Sequence, residues 1–163
     1  LKVKFRESFR PFAPSVLEEE CSKWFDLNVS SPYMLLVSEI NESKKILNQD
    51  NNLSGLDKLS SVRSEIPAVT HVDFSARIQT VSKETNTDYY ELIKEFFILT
   101  GCPVIVNTSF NVRGEPIVHS PKDAFKCFMG TNLDMLVLEN FILKKEDQDK
   151  KLLASYFNKY DLD

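Results

Sequence analysis

Cationic and apolar positions alternate at the start of the chain. Lys2, Lys4 and Arg6 interleave with Val3 and Phe5. A period of two predicts a strand with the cations on one face and the apolar side chains on the other. Arg10 follows beside Pro11 and near Pro14, where the prolines oppose a helix. Ser15 with Glu18 makes a capping-box spacing. Val16, Leu17, Cys21, Trp24 and Phe25 recur as one stripe, so a helix is expected over residues 16–25. The apolar run at 33–40 predicts a strand. Residues 41–66 are rich in Asn, Ser, Lys and Asp and contain Gly55. An exposed, mobile loop is expected at 43–65, with a short helix near 56–62.

Two strands, 68–73 and 76–81, are expected as a hairpin around Phe74-Ser75. Asn86 or Thr87 can cap a helix over 88–100, with Leu92, Ile93, Phe96 and Phe97 as its apolar stripe. Gly101 suits its left-handed stop. Val104-Ile105-Val106 predicts a short buried strand. Ser120-Pro121 with Asp123 opens another helix, ending near Gly130. Residues 135–138 and 141–143 read as one continuous strand. The tail from 147 to 163 has an apolar face of Leu152, Leu153, Tyr156, Phe157 and Tyr160, which predicts an amphipathic helix. Strands and helices in mixed order predict an α/β fold, a mixed twisted sheet with flanking helices.

The strand at 104–106 ends abruptly in Asn107-Thr108-Ser109-Phe110-Asn111. A buried strand that ends in so many hydrogen-bonding side chains either turns or lines a site, because buried polar groups need partners. In α/β sheets, ligands lie beyond the carboxyl ends of strands. The formal charge is −4, so the basic N-terminal segment stands against an acidic background and suggests an anionic ligand.

The chain has 163 residues, 42% of them hydrophobic, with twelve Phe. That length and composition predict a single globular domain with a real core and exclude disorder. Cys21, Cys102 and Cys127 are an odd number without metal-type spacing, and read as reduced core thiols in a cytoplasmic protein. No run reaches the roughly 20 apolar residues of a membrane span, and no signal peptide is visible. Four glycines leave no phosphate-cradling glycine loop. Bound phosphates would need cationic side chains, and Lys4, Arg6, Arg10 and Arg77 are the supply. Arg77 is read as either ligand-facing or paired to Glu115 or Asp73. His71, Asp73 and His119 could supply metal ligands, but a hydrogen-bonded histidine is the preferred reading, and no protein-held metal is expected.

Three segments occur in order: Lys4-Phe5-Arg6-Glu7-Ser8-Phe9-Arg10-Pro11-Phe12-Ala13-Pro14, then Thr70-His71-Val72-Asp73-Phe74-Ser75-Ala76-Arg77-Ile78-Gln79-Thr80-Val81, then Asn107 to Asn111 with Gly114-Glu115-Pro116-Ile117-Val118. Together they resemble the C-terminal domain of the NodU/CmcH/TobZ O-carbamoyltransferase family. The likeness covers most of residues 1–145, leaving 146–163 as a charged tail. It implies a YrdC-like domain, cut from a longer enzyme, that forms carbamoyl adenylate from carbamoyl phosphate and ATP. An N-terminal actin-like domain of the parent chain would pass the carbamoyl group to a hydroxyl acceptor. Lys4, Arg10 and Ser109 match the family's catalytic positions and Arg77 its second arginine. Arg6, Asn107, Thr108 and Asn111 are expected to bind substrate or nucleotide, Asn107 and Thr108 through the carbamoyl amide. ATP would be a substrate, brought with Mg²⁺. One departure is Phe74-Ser75, where the family usually has Gly-Thr, which puts the tight turn in question. Neither a membrane nor nucleic acid is expected as a partner. The alternative is a noncatalytic basic groove for RNA or nucleotide, since Phe5, Phe9 and Phe12 interleave with the cations.

Overall fold

Residues Ala13–Leu17 are buried throughout and form the first strand, β1. Ser15 therefore does not cap a helix: its hydroxyl donates to Gln79 Oε1 at 2.7 Å. The helix expected over 16–25 is shortened to a 3-10 turn, Glu18–Glu20, and α1, Cys21–Trp24. Local capping chemistry lost to the sheet, which takes Val16 and Leu17 into its interior. Pro14 is accommodated because β1 pairs with its parallel neighbour only from Ser15 onward.

The structure, a computed structural model, describes residues 3–4, 10–46, 62–112 and 114–157. Contacts divide the chain into two compact units, residues 9–108, and residues 1–8 with 109–163.

The first of these holds a four-stranded mixed sheet. The strands are β1, β2 (Leu36–Glu39), β3 (Ser75–Val81) and β4 (Val104–Asn107), in the order β2-β3-β1-β4. β1 is parallel to β3 and antiparallel to β4, and β2 is antiparallel to β3. One sheet face carries Val16, Ala76, Ile78 and Val104, packed with Trp24, Phe25, Ile40 and Val69. On the other face, Leu17 and Val81 pack with Ile93 of α2, Thr87–Thr100. Asn86 accepts the Tyr89 N–H as N-cap, and Gly101 ends the helix at φ 74°. No heavy atom lies within 4 Å of a Cβ built there. Gly101→Ala should therefore cost only backbone strain, about 1 kcal/mol, read as a lower midpoint in thermal melting.

The strand expected at 68–73 is instead a 3-10 turn, Pro67–Val69, followed by a tight turn. The His71 carbonyl accepts the Phe74 N–H at 3.1 Å, and His71 N–H donates to Ser75 O at 2.8 Å. Phe74 takes the left-handed conformation, φ 63°. The turn thus forms despite the missing glycine, with a bulky residue in a costly region. The Lys45 ammonium lies 5.3 Å from its ring. Asp73 Oδ1 accepts from both the N–H and the hydroxyl of Ser75, and these bonds lower its pKa below 3.8. A depressed folded pKa gives stability that is present above pH 3.8 and lost as pH falls through the folded value. Asp73→Asn should lose that contribution at neutral pH and flatten the acid limb, so that variant and wild type converge as the pH falls. Acid unfolding followed by circular dichroism checks it.

The other unit contains α3, Pro121–Met129, begun by the Ser120 cap as expected. Strands β5, Met135–Leu138, and β6, Phe141–Lys144, pair antiparallel. They are a hairpin rather than one continuous strand, reversing at Glu139-Asn140, where Glu139 sits at φ 49°. The tail helix α4, Lys150–Phe157, packs on α3 through Leu153 and Tyr156. Val3 and Lys4 belong to no strand. Lys2, Phe5 and Arg6 of the expected basic strand lie outside the described residues, as do Tyr160 and nearly all of the helix expected near 56–62. So does most of the loop expected at 43–65, whose flanks are joined by the bridge Lys45–Ser64.

Candidate active site

The polar end of β4 leads into a closed loop. Phe110 O accepts the Val118 N–H at 2.9 Å, Gly114 turns at φ 78°, and Val112 is buried. Lys4 reaches this loop across more than a hundred residues of sequence. Its ammonium donates to Ser109 Oγ at 3.1 Å, to Asn111 O at 2.7 Å and to Asn111 Oδ1 at 2.6 Å. Ser109 also donates to Asn111 Oδ1 at 2.7 Å. Asn111 Nδ2 donates to Glu115 O at 2.8 Å, and the Glu115 carboxylate pairs with Lys126 of α3 at 2.5 Å. That pair raises the Lys126 pKa. The loop is thus tied to α3 through Glu115, and Lys4 and Ser109 are held together. Asn111 is spent on that arrangement: its oxygen receives Lys4 and Ser109, and its nitrogen serves Glu115. Beside the same loop, an apolar cavity of about 760 Å³ is lined by Phe110, Val118, Ala124, Val137, Phe141 and Leu143.

The sheet unit carries a second polar group. Registered residues share a face, so Arg77, Gln79, Ser15 and Asn107 stand on the side whose other end is covered by α2. Arg77 is exposed opposite Val37. Of the partners considered for it, Asp73 accepts from Ser75 instead. Gln79 Oε1 accepts from Ser15 at 2.7 Å and from Asn107 Nδ2 at 2.6 Å, while Gln79 Nε2 donates to Pro32 O at 3.1 Å. Gln79 was not singled out in the sequence. Its only signal was an amide on a strand between Ile78 and Thr80. Thr108 and Arg10 are exposed, and Arg6 lies outside the described residues. His71 Nδ1 lies 3.0 Å from Ser75 Oγ, so it serves the turn. The Cys102 thiol is half-buried and its pKa is pushed up, chiefly by burial. A model of the carbamoyltransferase C-terminus matches residues 1–145.

The chain belongs to the carbamoyltransferase C-terminus family.

Other members share much of its sequence. It is 56% identical over 153 residues to the Synechocystis protein sll1178, covering 93% of this chain and 25% of that protein. It is 45% identical to nodulation protein NolNO of Sinorhizobium fredii, over 88% of this chain and 19% of that one. It is 41% identical to nodulation protein NolO of Bradyrhizobium diazoefficiens, over 97% and 27%. The chain therefore spans about a fifth to a quarter of these relatives. Lys4, Arg10, Arg77, Asn107 and Ser109 all fall within the span matched by the carbamoyltransferase C-terminus model. Among the described residues, no helix is long and apolar enough to cross a membrane.

Proposed function

We propose that this chain is the carbamoyl-activating part of an O-carbamoyltransferase. The observation that carries the reading is the Lys4–Ser109–Asn111 cluster, which lies inside the span matched by the family model. The Lys4 ammonium stands 3.1 Å from the Ser109 hydroxyl, so an anion could meet a cation and a hydroxyl donor together. Carbamoyl phosphate would first lose its phosphate to water, giving carbamate. A carbamate oxygen would then attack the α-phosphorus of ATP. The new P–O bond forms as the bond to pyrophosphate breaks, giving carbamoyl adenylate. Mg²⁺ would arrive with the nucleotide and neutralise part of its charge.

Two anions must approach each other in this reaction, and negative charge shifts onto phosphoryl oxygens. Lys4, Arg10 and Arg77 lower that repulsion and stabilise the developing charge. Arg6 is assigned to the same phosphates. Ser109 offers a hydroxyl beside the ammonium for a phosphoryl oxygen. Asn107 and Thr108 are assigned to the carbamoyl amide. Asn111, placed with the ligand-binding residues by its motif, acts here by holding Lys4 and Ser109. A hydroxyl acceptor would then attack the carbamoyl carbon, releasing AMP, in another part of the parent polypeptide.

The test is to incubate this chain with ATP, carbamoyl phosphate and an acceptor, and to follow AMP and products by mass spectrometry. Slow AMP release that requires carbamoyl phosphate, without carbamoylated acceptor, is the expected result. No AMP from either this chain or its full-length parent would overturn the reading. Carbamoylated acceptor at enzymatic rates would move transfer onto this domain.

A further inference from the structure

The hydrogen bonds around Gln79 allow only one orientation of two amides. The Pro32 carbonyl can accept but cannot donate, so the group 3.1 Å from it must be the Gln79 NH₂. Gln79 Oε1 must then face the opposite way, toward the Ser15 hydroxyl and the Asn107 side chain. Only the NH₂ of Asn107 can meet that oxygen. Its 2.6 Å contact is with Gln79 Oε1, and the Met34 sulfur lies 3.5 Å away as a weak second acceptor. Both hydrogens of the Asn107 amide are therefore engaged. Asn107 Oδ1 is turned away from them, and among the described residues nothing donates to it. The cluster is anchored at the buried Ser15 of the central strand, so reversing either amide would set oxygen against oxygen.

We propose that Gln79 is a positioning residue that locks Asn107 with its oxygen toward the substrate, so that the site selects a carbamoyl group over an acyl group of the same shape. This rests on the carbamoyl-activating reading above. A carbamoyl nitrogen carries hydrogens that Asn107 Oδ1 can accept. The methyl of an acetyl group occupies the same volume and donates nothing. Sites built to bond a substrate N–H reject analogues that lack it, because the site's own polar group is left unmet. A freely rotating Asn107 would lose this discrimination, since it could present either end.

The experiment measures AMP release by the full-length parent enzyme with ATP and either carbamoyl phosphate or acetyl phosphate. The wild type is expected to favour carbamoyl phosphate in kcat/KM by about tenfold or more. Gln79→Met, similar in length but without the amide, should bring the two within about threefold of each other. Ser15→Ala disturbs the same cluster but leaves the Pro32–Gln79–Asn107 chain intact, and should keep the preference. A merely structural role would lower both rates together and leave the ratio unchanged. If Gln79→Met does not fold, Asn107→Ser carries the expectation of lost preference. An undiminished ratio in Gln79→Met, or in Asn107→Ser, overturns the inference while the proposed function stands. Equal use of the two phosphates by the wild type does the same. No AMP with carbamoyl phosphate overturns both.

Discussion

On the proposed carbamoyl-activating role, Lys4→Met should lower the rate of AMP formation from ATP and carbamoyl phosphate by on the order of 10²–10³-fold. The ammonium meets three acceptors, Ser109 Oγ and the two oxygens of Asn111, at 2.6–3.1 Å. Methionine keeps the length and the apolar stem but removes every donor. Ser109 and Asn111 would still bond each other, so the loop has a reason to keep its shape. The loss should therefore fall on the chemical step and on phosphate binding rather than on folding. Lys4→Arg should recover only part of the rate. A planar guanidinium fork does not reproduce an ammonium that directs its donors to acceptors around one point. Steady-state kinetics with thermal melting as a control decides it. A Lys4→Met rate within about threefold of wild type would remove Lys4 from the catalytic assignment.

How far the chain could be read from its sequence depended on whether local and tertiary signals agreed. Helices α2 and α3 were legible because capping residues, stripe and stop coincide: Asn86 and Gly101 bracket one, Ser120 and Gly130 the other. Strand β1 was not, because Ser15 and Glu18 imitate a helix start while Val16 and Leu17 are claimed by strands more than sixty residues away. The β5–β6 reversal was missed because Glu139-Asn140 contains neither glycine nor proline, and Glu139 takes the left-handed conformation without the usual marker. The contact of Lys4 with Ser109 has no local signal, since nothing in the sequence links residues that far apart. Gln79 stayed hidden because a single amide in a strand carries no spacing signature. Its meaning appears only when the Pro32 carbonyl fixes which way it points.

Phe128→Ala should be among the most destabilising single changes in residues 109–163, costing about 3–5 kcal/mol. The ring is fully buried and packs with Ala124, Met129 and Leu136 beneath the β5–β6 hairpin and α4. Truncation leaves a cavity that α3 cannot close without giving up its contacts to both. A second loss adds to the first. The Lys145 ammonium sits 4.1 Å from the ring centroid and donates to Phe128 O, and to Thr131 O at 2.9 Å. These carbonyls end α3, where a cation also meets the negative end of the helix dipole. Burial pushes the Lys145 pKa down, so this charge is already partly desolvated and depends on its partners. Removing the ring deletes one of them. Phe128→Leu should lose far less, because most of the volume stays. Lys145→Met separates the two contributions: it spares the packing but removes the ammonium from both carbonyls, at a cost of about 1–3 kcal/mol. Urea unfolding of the three variants gives the order Phe128→Ala, then Lys145→Met or Phe128→Leu. An Ala variant as stable as wild type would mean that α3 is not held to the hairpin through this side chain.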